Sequence, residues 1–227
     1  MIALISDIHG NYSALKEVFK YIDKIGIEDI YCLGDVAGYY TQINECCEEL
    51  RKRNVRCIMG NHDWYLVAGS FCPRSKSVND CIKYQRKIIR KENLDWLCSF
   101  PVFRKVSDLF MVHGGWSDPI DEYLEPQKEY FDRLYGKIFL SGHVHVQLVK
   151  KFGTKMYCNP GSVGQPRDND PRSAFATFDG REFHLHRVEY DIDNVGRLMA
   201  EAGFNGYYYG CLKTGSKRLQ WAQNQHD

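Results

Sequence analysis

Five short motifs gather residues that bind metals or move protons: Asp7-x-His9, Gly34-Asp35, Gly60-Asn61-His62-Asp63, His113-Gly114 and Gly142-His143-x-His145. Carboxylate, amide oxygen and imidazole together suit manganese, iron, zinc, cobalt or nickel. None of the five motifs contains cysteine, which disfavours a thiolate zinc site. A lone histidine at the end of a strand is an ordinary polar group. Five of the eight histidines falling in these motifs form a constellation. Seven residues, Asp7, His9, Asp35, Asn61, His113, His143 and His145, are ligand candidates. They are too many for one ion and suit two ions that share a carboxylate, about 3.5–4 Å apart as in two-metal hydrolytic sites. Asp7 and His9 are an i, i+2 pair, as are His143 and His145, so on extended backbone both members of a pair face the same way. His184 and His186 alternate on a strand with no carboxylate at its end, and His226 lies near the C-terminus; these three take no role.

The elements that must position the motifs are apolar runs. "IALIS" reads as a buried strand, "NYSALKEVFKYIDKIG" as an amphipathic helix, "DIYCLGD" as a second strand, "TQINECCEELRKRN" as a second helix and "VRCIMG" as a third strand. This alternation predicts a parallel or mixed sheet with crossover helices. "VNDCIKYQRKIIRKENLDWLCSF" reads as one helix and a second short one stopped by Pro101. "DLFMVHGG" and "KIFLSGHVH" are two more strands, each ending in histidine, and strand-like alternation continues to about Tyr190. "IDNVGRLMAEAG" reads as a short helix. Every motif thus sits at a strand's carboxyl end, where open α/β sheets form their ligand crevice. No repeat, low-complexity block or linker divides the chain, so residues 1–227 are expected to form one domain, with a loosely held tail from Asn205.

Composition narrows the function classes. A formal net charge of +1 over 227 residues is unlike that of proteins that bind nucleic acid by neutralising phosphates, so no strong nucleic-acid binding is expected. The N-terminus has no basic, apolar export signal, and no segment approaches the length of a membrane span. Nine cysteines without a CxxC pair read as reduced thiols in a cytoplasm.

In their order along the chain, DxH, GD, GNHD, HG and GHxH resemble the motif set of the calcineurin-like metallophosphoesterase superfamily. "NPGSVGQPRD" (159–168) further resembles its small prokaryotic branch, which contains broad-range phosphodiesterases. The resemblance implies an α/β fold, a four-layer α/β/β/α sandwich of two mixed sheets flanked by helices, with a two-metal site at one edge. It implies that Asp7, His9, Asp35 and His145 hold one ion, and that Asp35, Asn61, His113 and His143 hold the other, with Asp35 bridging. Gly60 would open the turn that presents Asn61. Manganese is the first choice of metal, with iron, zinc, nickel, cobalt or magnesium as alternatives. His62 would be the general acid and Asp63 the carboxylate that orients its ring through a hydrogen bond. A hydroxide bridging the ions would attack phosphorus.

The departures from the superfamily bear on substrate. Related protein phosphatases and diadenosine tetraphosphate hydrolases carry an arginine shortly after the bridging aspartate. Here the sequence runs Asp35-Val-Ala-Gly-Tyr-Tyr40. Loss of that bidentate phosphate partner favours diesters over monoester dianions, unless Arg167 replaces it. Tyr39, Tyr40, Trp64, Tyr65 and Trp116 lie beside the motifs and either pack or stack a nucleobase. Asn11 either reaches a phosphate or caps the first helix, and the cap is favoured. The expected activity is therefore a dinuclear phosphodiesterase acting on small or nucleotide-like substrates. The alternatives are a phosphomonoesterase, a protein or dinucleoside polyphosphate phosphatase, and a non-catalytic scaffold built on the same fold.

Overall fold

Successive side chains of β1 (Ile2–Ile5) point to opposite layers. Leu4 packs into one apolar cluster, while Ala3 and Ile5 join another, and all three are fully buried. A strand covered on both faces has no reason to alternate apolar with polar residues, which is why it reads as an unbroken hydrophobic run. The same two-sided burial recurs through the centre of this structure, a computed structural model in which residues 1–216 are described.

Chain order continues with α1 (Tyr12–Lys24), β2 (Ile30–Cys32), α2 (Ile43–Lys52), β3 (Arg56–Cys57), α3 (Asn61–Val67), α4 (Lys76–Ile88) and α5 (Lys91–Cys98). Then come β4 (Phe103–Val106), β5 (Leu109–Val112), α6 (Lys128–Asp132), β6 (Ile138–Leu140), β7 (Leu148–Phe152), β8 (Lys155–Asn159), β9 (Ser173–Phe178), β10 (Phe183–Val188) and α7 (Ile192–Glu201). One sheet has the order β10-β9-β1-β2-β3 and the other β4-β5-β6-β8-β7. Both are mixed: β1, β2 and β3 run parallel, as do β5, β6 and β8, while the remaining pairings are antiparallel.

Between the sheets, Leu4, Tyr31 and Ala176 of the first meet Met111, Leu140 and Cys158 of the second. The outer face of the first sheet is covered by α1, whose buried Ala14, Leu15, Val18, Phe19 and Ile22 recur at helical spacing, together with α2, α4 and α5. The outer face of the second is covered around Phe131 of α6, which packs with Phe110, Phe139 and Tyr157. The four-layer α/β/β/α sandwich implied by the motifs is the observed architecture, with a thin fourth layer. Of the segment from Asn205 expected to be loosely held, residues 206–213 form two 3-10 turns that bury Cys211 and Leu212. Residues 217–227 of that tail, with His226, lie outside the described residues. No described helix is long and apolar enough to cross a membrane.

Candidate metal centre

The carboxyl ends of β1, β2 and β3 meet those of β5 and β6, and all seven ligand candidates converge there. None is more than 3% exposed. The first sheet's loops supply Asp7, His9, Asp35 and Asn61, and the second sheet's supply His113, His143 and His145. Backbone bonds tie the loops together: Asp7 N–H donates to Gly34 O (3.0 Å), His9 N–H to Asp35 O (2.9 Å) and Gly142 N–H to His113 O (2.9 Å).

The pairs converge for a different reason from the extended alternation expected of them. Asp7, His9, Asp35, His143 and His145 all have positive φ, between 54° and 68°. An L-residue in this left-handed region is strained, and such strain collects where the chain must aim a side chain at a site. Each loop bends through these residues, and the bend turns the side chains inward.

"GNHD" is likewise not a reversing turn. Gly60 is extended (φ −101°, ψ 175°) and Asn61 begins α3. Glycine is needed here for close approach: a Cβ would stand 2.2 Å from Asp35 Oδ1 and 2.4 Å from Asp35 N.

Two groups of donors result, with ligand atoms within 4.8 Å of one another in each: Asp7, His9 and His145, and Asp35, His113 and His143. Asn61 Oδ1 lies 3.2 Å from both His113 Nε2 and His143 Nδ1, which puts it with the second group. Asp35 Oδ2 is 3.3 Å from His113 Nε2 and 3.7 Å from His9 Nε2, so it faces both groups. His145 Nε2 is 3.3 Å from Asp7 Oδ1. A third group joins His9 and Asp35 to His62.

Three of the imidazoles are held from behind by backbone carbonyls. His9 Nδ1 donates to Ala37 O (2.8 Å), His113 Nδ1 to Leu33 O (2.7 Å) and His145 Nδ1 to Gln165 O (2.6 Å). Carbonyls only accept, so Nδ1 carries a proton in each ring and Nε2 faces the cluster. His9 Nε2 and His145 Nε2 then face each other at 3.0 Å. Two bare lone pairs at that distance repel, and a shared cation or proton relieves the contact. On this evidence the donor set fits metal ions.

The charges agree. Burial would raise the Asp7 carboxyl, but His145 and His113 hold it well below the usual range. Burial would push the His113 imidazolium down, yet the charge and hydrogen bond of Asp35, and the charge of Asp7, hold it up at about 10. Burial dominates elsewhere, lowering His143 to about 3 and His9 well below its ordinary value. Without metal, His113 therefore keeps a proton near neutral pH, and that proton must leave before Nε2 can donate to an ion. Metal binding is expected to release about one proton per chain, and apparent affinity to rise about tenfold per pH unit below the His113 value. Calorimetric Mn²⁺ titration in two buffers of different ionisation enthalpy checks this, and zero proton release contradicts it.

The expected partnership of His62 and Asp63 is not formed. Asp63 Oδ2 accepts from Asp35 N–H (2.8 Å) and Gly60 N–H (3.1 Å), and Oδ1 accepts from Ala37 N–H (2.8 Å). As the third residue of α3 it turns back over the helix start, as an acid in a capping box does, and in doing so fixes the Asp35 loop. Burial, then repulsion from Asp35, pushes Asp63 up to about 7. The His62 ring is buried, its Nδ1 has no partner, and its Nε2 lies 4.0 Å from Asp35 Oδ2.

Asn11 caps: its Oδ1 accepts from Ala14 N–H (3.1 Å) and its Nδ2 donates to Gly164 O (2.9 Å), which uses the side chain internally. Tyr39 sets its ring edge-on to His9 at 4.6 Å. Its hydroxyl accepts from Arg167 Nη2 (2.8 Å), which also donates to Gln165 Oε1 (2.8 Å). Arg167 has no carboxylate within 4 Å among the described residues. Two supporting residues had no sequence signal, Gln85, which binds Gly38 and Tyr40 backbone from α4, and Asp121 beside His143, while a third, Gln165, falls within the "NPGSVGQPRD" segment.

The calcineurin-like phosphoesterase superfamily domain matches residues 1–182, a span that takes in all five motifs. The chain belongs to that superfamily. An uncharacterized protein of Methanocaldococcus jannaschii is 36% identical over 85% of this chain and 88% of its own length. A metallophosphoesterase from Sphaerobacter thermophilus superposes with a TM-score of 0.82 at 30% identity, over 94% of this chain and 98% of that one. A symmetrical bis(5'-nucleosyl)-tetraphosphatase from Paracidovorax citrulli is 31% identical over 58% of this chain, which spans about half (51%) of that enzyme. As a calcineurin-like phosphoesterase, this protein is a hydrolase of phosphoric esters in a family that depends on divalent metals.

Proposed function

We propose that this phosphoesterase uses two divalent ions to hydrolyse phosphodiesters of small, nucleotide-like molecules. The observation that carries the reading is the position of Asp35 between two groups of three protein donors, facing imidazoles of both. Asp7, His9 and His145 would hold one ion, Asn61, His113 and His143 the other, and Asp35 both. Manganese is the first choice, because the donors are imidazole nitrogen and amide or carboxylate oxygen. Bound ions supply Lewis acidity, making water nucleophilic near neutral pH and neutralising charge on phosphoryl oxygens.

The chain's own groups do the rest. His62 stands beside Asp35 with no hydrogen bond fixing its Nδ1. In the metal-free site burial lowers it to about 4, and a phosphate anion beside the ring favours its protonated form. That proton can pass to the departing oxygen. Asp63 supports the reaction by holding the Asp35–Ala37 backbone. Arg167, held at the site by Tyr39 and Gln165, offers a single guanidinium to a phosphoryl oxygen. Both of these bonds use Nη2, which each bidentate fork of a guanidinium needs, so Arg167 does not replace the missing clamp and suits the monoanionic phosphate of a diester better than the dianion of a monoester. Nine free cysteines, eight of them buried, fit a reducing cytoplasm as its location.

The test is Mn²⁺-dependent turnover of a chromogenic diester against its monoester at matched metal. The diester is expected to be preferred. A strong monoester preference refutes the single-arginine reading, and no turnover of either with any divalent metal points to use of the fold as a scaffold. A second reading, cleavage of dinucleoside polyphosphates, is favoured by the tetraphosphatase relative and by the exposed Trp64 and Tyr123 near the site motifs. Including such compounds in the same assay separates the two.

A further inference from the structure

His143 is the one imidazole among the four ligand candidates with no backbone carbonyl behind it. Its Nδ1 faces Asn61 Oδ1 at 3.2 Å, so its orientation is the reverse of the other three rings, and Nε2 points away from the metal donors. That Nε2 is buried and has no hydrogen-bond partner. The acidic group facing it is Asp121, whose Oδ1 lies 3.6 Å away. Asp121 is itself held. Arg74 pairs with its Oδ1, the Tyr65 hydroxyl lies 3.5 Å from its Oδ2, and the loop carrying it is pinned by His113 N–H and Gly114 N–H donating to Pro119 O. Tyr123, two residues on, sets its ring against His143 at 4.1 Å with the planes tilted by 55°, while the Arg74 guanidinium sits over Tyr123 at 5.3 Å.

We infer that Asp121 is a positioning residue for the second metal ion, accepting a hydrogen bond from His143 Nε2–H and so presenting Nδ1 as the ligand atom. This rests on the two-ion reading of the site. A carboxylate in this place fixes both the tautomer and the ring direction and makes the imidazole a better donor than a carbonyl would. It gives the second group a feature that the first lacks: His9 and His145 are backed by neutral carbonyls, while His143 is backed by a charge that Arg74 and Tyr65 can moderate. Arg74 and Tyr65 both belong to the segment between α3 and α4 or to α3 itself, and so Asp121 also links that segment to the ligand.

The experiment is Mn²⁺ titration of the full chain by calorimetry, with bound metal counted after dialysis and the thermal midpoint of the metal-free protein measured alongside. Asp121→Ala should weaken one of two ions by about 10–100-fold, the usual cost of losing such a partner, and leave the other ion and the metal-free midpoint unchanged. Asp121→Asn keeps an acceptor oxygen in place and should fall between parent and Asp121→Ala. Arg74→Met, which leaves the carboxylate, should keep both ions. Affinities for both ions unchanged from the parent in Asp121→Ala overturn the inference alone. So does a fall in both affinities together with the midpoint in the isosteric Asp121→Asn, which carries the test if Asp121→Ala does not fold. A parent chain that binds no Mn²⁺ overturns the two-ion reading and this inference with it.

Discussion

Replacing Asp35 by asparagine is expected to remove one ion per chain and lower turnover on the order of a thousandfold, since several kcal/mol of charge stabilisation depend on the second ion and each 1.36 kcal/mol is tenfold. The substitution is chosen to leave the backbone alone. Asp35 has φ 56°, and asparagine tolerates the left-handed region at least as well as aspartate. His62 N–H donates to Asp35 Oδ1 (2.8 Å), and an amide oxygen can accept that bond too. What is lost is the charge shared between His113 on one side and His9 on the other. Metal analysis after dialysis, with kcat on a chromogenic diester, reads both effects. Two ions retained and turnover within about tenfold would mean that Asp35 does not bridge.

His62→Ala should separate the two readouts: metal content holds while turnover falls about 10²–10⁴-fold, the usual worth of a positioned acid. The drop should depend on the leaving group. A nitrophenolate departs without help, so a nitrophenyl ester should lose little, while an ester with an alkyl alcohol should lose the full amount. The competing role is as a ligand, since His62 shares a group with His9 and Asp35. Loss of an ion in His62→Ala, or an equal drop for both leaving groups, would place the ring on a metal and leave the acid unassigned.

How much of this was readable beforehand depends on how far each cause reaches along the chain. The strands were legible because β1, β2 and β5 are buried on both faces and so carry continuous apolar runs. The donors were legible because they follow those runs directly. The geometry that aims them was not. Asp7 and His9 face one way because both are left-handed, and although aspartate and histidine visit positive φ more often than most residues, their type alone does not fix it. Asp63 departs from the expected role for a simpler reason: its neighbour His62 suggests a partner, whereas three residues back Gly60 starts a helix whose first amide an acid commonly covers. Asp121 and Gln85 act on residues 22 and 47 positions away, at His143 and Gly38, and a single sequence holds no record of such pairings.

The five left-handed ligand positions set endurance against catalysis. Each holds an aspartate or histidine where glycine rests more easily, at a cost of up to about 1–2 kcal/mol apiece, and the buried layers on either side must offset that tension. A variant selected for surviving heat alone would gain most by turning these same codons to glycine, and every such gain would delete a donor.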